Sequence, residues 1–295
     1  MKRVVLFGGS GFIGGHVRAV LEADARCVVV APGRDRHDLQ RDGVAALCAL
    51  LAEESPDAVV NCTGRLGGTA AELLQANAIV TARLLEAVAA AAPAARLVRL
   101  GSAAEYGPVP AGVAVTEAYP AAPVSDYGVS QLAGTRLAEL AAREGRVDAV
   151  VLRVFNPIGP GLHADNMLGR AAALMRAAAA GGADAITLGP LGAHRDFLDI
   201  GDVARAVQRA VFVTDPPARV LNVASGQAVV SRTAVRLLAE AAGFAGVVRE
   251  EGVAPSRSTA VPWMCGDIAA ARAALGWTPE VTLADAVKRV WAGVG

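Results

Sequence analysis

The chain has 295 residues, with 28 lysines plus arginines set against 28 acidic residues. With no net charge it offers no basic excess to neutralise a phosphate backbone, so nucleic acid is excluded as a partner. Four scattered cysteines (Cys27, Cys48, Cys62, Cys265) form no CxxC pair, hence neither a disulfide framework nor a metal site, and no uncharged apolar run reaches the about 18–20 residues that cross a bilayer.

The opening "MKRVVLFGG" runs straight into an apolar strand without a secretory signal pattern, so a soluble, cytoplasmic chain with no membrane partner is expected. Strands are predicted at 3–9, 27–31, 57–62, 96–102 and 148–154, each a near-continuous β-branched run of the kind buried on both faces. Amphipathic helices are predicted between them, at 14–24 and 72–92. That order predicts an α/β fold, a Rossmann-type doubly wound parallel sheet with its ligand beyond the carboxyl ends of the strands. After about residue 160 the rhythm breaks into glycine- and proline-rich segments with shorter helices at 201–213, 231–243 and 267–275. Residues 1–160 read as the Rossmann domain and 161–295 as a smaller, mixed substrate lobe, with segments exchanging between the two.

Between the first strand and the first helix, "FGGSGFIGG" places Gly8, Gly11 and Gly14 at GxxGxxG spacing. Gly8 permits the turn, Gly11 lets the backbone approach a pyrophosphate, and Gly14 lets the helix pack closely on the strand. The helix N-terminus then presents free N–H groups and its positive end to phosphate. Glycines that serve packing alone are the blander reading, and the strand–turn–helix context argues against it. NAD sites usually carry an acid at the end of the second strand; here "VVVAPGRDR" has none, and Arg34 and Arg36 follow at once. A guanidinium there pairs with a 2′-phosphate, which favours NADP(H), with NAD(H) possible if the two arginines form a solvated loop offset by Asp35 and Asp38.

The fourth strand ends "LGSAAEYGP", and further on stands "SDYGVSQLAG". Together with "GGSGFIG", "PDAVVNCTG", "QANAIVTARLLEA", "LRVFNPIGPG" and "HRDFLDIGDVARA", these segments resemble, in order, the motifs of the NAD(P)-dependent epimerase/dehydratase family of the extended short-chain dehydrogenase/reductase superfamily, which acts on nucleotide sugars. The stretch "EAYPAAPVSDYGVSQLAG" is similar to the family's "E…PxxPxSxYGxSKxxxE". The resemblance implies that Gly8, Gly11, Phe12, Ile13 and Gly14, the strand end Cys62, Thr63 and Gly64, and Asn77 hold the dinucleotide. It implies a proton-transfer role for Tyr127, a carbonyl-binding hydroxyl for Ser102, and substrate contacts from Ser102, Asn156, Arg195 and Arg257. Gln131 occupies the place of the family's lysine beside Tyr127.

Two departures narrow the chemistry. The family's sugar dehydratases carry Thr-Asp-Glu where this chain has Ser102-Ala103-Ala104, and two methyl groups can neither eject a hydroxyl nor take a proton. The family's lysine lowers the tyrosine pKa and holds the nicotinamide ribose; Gln131 can donate a hydrogen bond but brings no charge. The only lysines, Lys2 and Lys288, are not stand-ins. Tyr127 is then expected to titrate near its free value of about 10, a poor base but an intact proton donor. An NADPH-dependent ketoreductase is the expectation, on a nucleotide-activated deoxysugar or on a secondary-metabolite intermediate such as a polyketide or glycoside. The alternatives are an NAD-dependent nucleotide-sugar epimerase and a catalytically retired dinucleotide-binding protein. A homodimer through the helix after Tyr127 is possible.

Overall fold

The computed structural model describes residues 1–252 and 260–293. Six parallel strands form the central sheet in the spatial order β10-β5-β4-β3-β1-β2. They are β1 (Lys2–Phe7), β2 (Cys27–Val30), β3 (Ala58–Asn61), β4 (Arg96–Ser102), β5 (Asp148–Val154) and β10 (Val220–Val223). Side chains alternate between the two faces, so each strand feeds two cores. On one face Val4, Leu6, Val60, Val98 and Leu152 meet helices α1 (Phe12–Glu22), α7 (Ile200–Phe212) and Ala269–Leu275. On the other, Val5, Phe7, Val59, Leu97 and Val151 meet α2 (Val44–Glu54), α4 (Val80–Ala91) and α5 (Asp126–Arg143). This is the doubly wound arrangement. The strand order reverses between β1 and β3, where a crevice opens beyond the strand ends.

The helix predicted at 72–92 runs from Ala70 to Ala91, with a five-residue π-helical segment, Gln75–Ile79, between α3 (Ala70–Leu74) and α4. It is long and apolar enough to cross a membrane, but over half of it is buried in the fold. The sixth strand was not foreseen. The run "VLNV" sits in the loop-rich second half of the chain, yet it pairs with β5, and α7 packs against the same sheet. The rest of the second half forms its own core from α6 (Met167–Gly181), β7 (Ala185–Leu188), α8 (Ser231–Ala242), β12 (Val247–Glu250) and the helix Leu283–Ala292. Short pairings tie this lobe to the sheet's carboxyl end: β6 (Pro157–Ile158) with β9 (Leu198–Asp199), and β8 (His194–Asp196) with β11 (Ala228–Val230).

Candidate active site

The glycine turn has the close approaches its spacing predicts. Gly8 has φ +80°, in the left-handed region that favours glycine, and a β-carbon there would lie 2.8 Å from the Cys62 carbonyl carbon. A β-carbon on Gly14 would fall 1.9 Å from the Gly8 carbonyl oxygen. Gly11 is the N-cap of α1 and supplies no side chain, which leaves the first N–H groups of the helix for an anion. Phe12 and Ile13 begin the helix and pack on the sheet core. The cradle fits a dinucleotide pyrophosphate. Arg34 is exposed just beyond β2, and no hydrogen bond or ion pair ties it to another described residue. Arg36, also exposed, reaches Glu53 at 3.4 Å; its partner is therefore neither Asp35 nor Asp38.

The loop after β3 closes this side. Asn61 accepts from the Thr63 N–H at 3.0 Å and its hydroxyl at 2.6 Å. The Cys62 thiol is pushed up to about 12 by burial and is not a nucleophile. Asn77, in the π-helical turn, spends its amide on the protein. It accepts from the Arg65 N–H (2.9 Å) and donates to the Arg65 carbonyl (3.0 Å) and the Ser130 hydroxyl (2.9 Å). It pins the Gly64 loop to α5, so it shapes the cofactor side from behind.

Ser102 ends β4 and caps the short turn Ala103–Glu105, its hydroxyl accepting from the Ala104 N–H at 3.2 Å. Tyr127 lies in the first turn of α5, whose N-cap is Ser125. Ser102 and Gln131 lie near enough to the Tyr127 phenol to hold its pKa down, so the three residues face one another. The expectation that Tyr127 titrates near its free value is corrected. Burial raises its pKa above 10.0, Glu105 adds to the rise, and the hydrogen bonds and the Arg99 charge offset only part of it. The phenol is thus an even poorer base than the sequence implied, and it stays protonated throughout the neutral range.

Behind the site lies a buried polar network that sequence reasoning left unused. Glu105, with no exposed surface, directly follows the two alanines, yet both its oxygens are committed. Oε1 accepts from the Ser102 N–H (2.9 Å) and the Thr135 hydroxyl (2.9 Å), and Oε2 accepts from Arg153 (2.8 Å). It therefore cannot serve as the acid that Ala103 and Ala104 lack. Arg153 also donates to the Tyr106 hydroxyl at 3.0 Å, which donates to Asn222 on β10 at 2.7 Å. Arg99, on β4, is buried among α4 and α5. The signal was an arginine inside each of two runs otherwise read as buried strand.

On the substrate side, Asn156 follows β5 and donates to the Asp196 carbonyl at 2.9 Å. Arg195 lies on β8 beside it, half-buried, donating to the His194 carbonyl at 2.8 Å, with its pKa lowered by burial. Arg257 lies outside the described residues. His163 is exposed and pairs with Asp165 at 3.2 Å, and His194 stacks on Trp263 at 5.1 Å. Lys2 donates to the Val211 carbonyl and Lys288 pairs with Asp285, so neither replaces the missing lysine.

Comparison with known proteins converges on one family. The model of the NAD dependent epimerase/dehydratase family matches residues 4–224. A dTDP-6-deoxy-L-talose 4-dehydrogenase (NAD(P)(+)) of Kitasatospora kifunensis is 41% identical over 301 residues, spanning 98% of this chain and 94% of the relative. A GDP-6-deoxy-D-mannose reductase of Pseudomonas aeruginosa is 30% identical over 299 residues, spanning 98% and 96%. The solved structure of RMD from Pseudomonas aeruginosa complexed with NADPH superposes with a TM-score of 0.87 at 28% identity, covering 99% of both chains.

Proposed function

The chain belongs to the NAD-dependent epimerase/dehydratase family, and on that footing we propose that it is an NADPH-dependent ketoreductase acting on a nucleotide-linked 4-keto-6-deoxysugar. It is an oxidoreductase of the extended short-chain dehydrogenase/reductase type. The observation that carries the direction of reaction is the uncharged Gln131 four residues after Tyr127, where the family's motif has a lysine, beside a phenol whose pKa burial raises. Reduction of a ketone asks the protein for a proton donor. Epimerisation begins with oxidation of an alcohol and asks for a base, which a phenol held above 10.0 supplies least well. The substrate class is supported by the relative at 41% identity, whose name specifies carbon 4 of a dTDP-6-deoxyhexose.

Gly8, Gly11 and Gly14 would hold the pyrophosphate, Gln131 the nicotinamide ribose, and Arg34 with Arg36 a 2′-phosphate; NADH remains a usable second cofactor. When bound, the reduced nicotinamide supplies hydride. The chain's residues do the rest. Ser102 and Tyr127 donate hydrogen bonds to the ketone oxygen and polarise it. Tyr127 transfers its proton as the alkoxide forms, and solvent reprotonates it. Asn156 and Arg195 bind the sugar diphosphate end, Arg195 as the cation for its phosphates. A cytoplasmic location suits these substrates, and exposed Leu74, Ile79 and Val129 offer an apolar face for a homodimer.

The test is purified protein with NADPH and a dTDP-4-keto-6-deoxyhexose, following loss of nicotinamide absorbance and identifying the alcohol product. Turnover with NADPH above that with NADH supports the reading. Firmly retained NAD together with interconversion of two sugar epimers overturns it.

A further inference from the structure

Arg99 is an expensive residue for this fold to keep. It projects from β4 on the face where Leu97 is core, and only 2% of it is exposed. An unpaired buried charge costs several kcal/mol, so buried arginines normally meet a carboxylate. Among the described residues no carboxylate lies within ion-pair distance of Arg99. Its three nitrogens meet neutral oxygens instead: Nε the Thr81 hydroxyl (3.0 Å), Nη1 the Thr135 hydroxyl (3.0 Å), and Nη2 the Gln131 side-chain oxygen (2.8 Å), the Gln131 carbonyl (3.1 Å) and the Asn77 carbonyl (3.4 Å).

The facing side of α5 is fitted to this guanidinium. Gln131, Gly134 and Thr135 stand at i, i+3 and i+4, one face of the helix. Gln131 and Thr135 accept from Arg99, and a β-carbon on Gly134 would fall 2.4 Å from Nη2. In the motif that this segment resembles, a lysine stands at 131 and a glutamate four places later. Here both charges have left the helix, and a cation enters from the strand below.

We propose that Arg99 is a positioning residue for Tyr127: through Gln131 it sets a buried positive charge behind the phenol and fixes which end of the amide faces it. With its oxygen held by Arg99, Gln131 has only its NH₂ free to turn towards the phenol and towards Gly64, whose β-carbon would sit 3.8 Å from Nε2. A cation on the amide oxygen also makes the opposite N–H a stronger donor. Arginine suits this depth because a guanidinium keeps its charge where a buried ammonium sheds it. The charged groups facing Tyr127 are Arg99 from β4, which favours the phenolate, and Glu105 from the turn, which opposes it; Arg153 lies behind Glu105 and pairs with it. Burial outweighs them, so the phenol remains a donor, but a stronger one than the same phenol without Arg99. This rests on the ketoreductase reading only for the use made of Tyr127.

The test needs no substrate. Protein carrying ring-labelled tyrosine gives NMR signals for its three tyrosines, and Tyr127→Phe assigns one. In Arg99→Met, the Tyr127 ionisation midpoint should rise by about one pH unit or more, a tenfold smaller phenolate fraction at a given pH. A merely structural arginine predicts no such rise in a variant that folds. Where Arg99→Met fails to fold, Arg99→Gln keeps a donor for the amide oxygen without the charge and should show the same rise; if neither folds, Gln131→Met breaks the relay and should also raise the midpoint. A folded variant with an unmoved midpoint overturns the assignment. If the phenol moves but no nucleotide-linked ketone is reduced, the functional reading fails and the assignment of Arg99 stands.

Discussion

Gly14→Ala and Gly15→Ala test the cofactor cradle, because neighbouring residues of one helix should respond with opposite signs. A β-carbon on Gly14 would lie 1.9 Å from the Gly8 carbonyl oxygen and 2.6 Å from its carbon. That is well over an ångström short of the about 3.3 Å at which carbon and carbonyl oxygen normally meet. Both contacts are backbone, so no side chain can swing away, and α1 must back off the turn. Such overpacking costs about 1–3 kcal/mol of stability, a fall in Tm of roughly 2–10 °C for a chain of this size. The same shift carries the helix N–H groups away from the phosphates. One hydrogen bond to a charged group is worth about 1.5–3 kcal/mol, so NADPH affinity should fall at least about tenfold. On Gly15 the nearest atom to an added β-carbon is 3.8 Å away, an ordinary contact. Alanine there is the better helix former by about 0.5–1 kcal/mol and should leave binding intact and raise Tm. Titration of NADPH emission with parallel thermal melts reads both. A Gly14→Ala protein that binds NADPH within twofold of wild type at an unchanged Tm would refute the reasoning.

Four further outcomes are expected. Arg34→Ala should weaken NADPH about tenfold and leave NADH unchanged, with a smaller loss for Arg36→Ala because Glu53 already holds that side chain; comparative titrations decide it. Tyr127→Phe should lower ketone reduction by about 10²- to 10⁴-fold while NADPH affinity changes little, read from steady-state rates and emission titration. Glu105→Gln should cost about 3–5 kcal/mol in denaturant unfolding, since Arg153 is left as an unpaired buried cation, and adding Arg153→Met should recover part of it. At alkaline pH the fold should lose stability, because Cys62 is raised from 9.0 to about 12 and the Tyr106 and Tyr127 phenols are raised by burial. Groups with raised folded-state pKa values hold their protons longer when folded, so Tm should be flat below the unfolded-state value near 9.0 and decline as pH climbs through about 12, less steeply in Cys62→Ala.

The sheet was legible because its strands are buried on both faces and carry that fact as unbroken β-branched runs. The runs at 96–102 and 148–154 become β4 and β5 with the same bounds. The strand β10 has equally apolar residues, but its four positions lie among turn signals and it pairs only with β5, far away in sequence. No local pattern reports such a partner. The π-helical turn was invisible for a related reason: Asn77 within it bonds both the Arg65 backbone and Ser130, partners that lie outside its local sequence. At the site, Ser102, Tyr127 and Gln131 were placed by the resemblance of their segments to the family's motifs, and the missing lysine was read as a missing charge. The charge is present, but it comes from the neighbouring strand. Arg99, midway along β4, and Arg153, near the carboxyl end of β5, follow Leu97 and Val151 on one face, where the run of core residues stops being apolar. A strand predicted as one apolar unit hides that change of environment along its length.

The substrate side is organised differently, and Asp196 shows how. Its carboxylate is fully buried, and burial raises its pKa. Four donors hold it nonetheless: the Ser225 N–H (2.7 Å) and hydroxyl (2.6 Å), the Gly226 N–H (3.0 Å) and the Gly266 N–H (3.1 Å). These come from the turn after β10 and from the segment following Met264, so a single anion binds together three stretches far apart in sequence. Its own carbonyl accepts from Asn156, and its neighbour on β8 is Arg195. Replacing Asp196 by an apolar side chain would leave those buried donors without a partner, at a cost of about 1–3 kcal/mol each. What it supplies is orientation: the Asn156 amide and the Arg195 backbone are fixed relative to the end of β5. Tyr127 and Arg195 thus stand beside separate buried charges, Arg99 with Glu105 on one side and Asp196 on the other. Changes in the loops around Arg195 can then act on that side of the fold without disturbing the Tyr127 phenol.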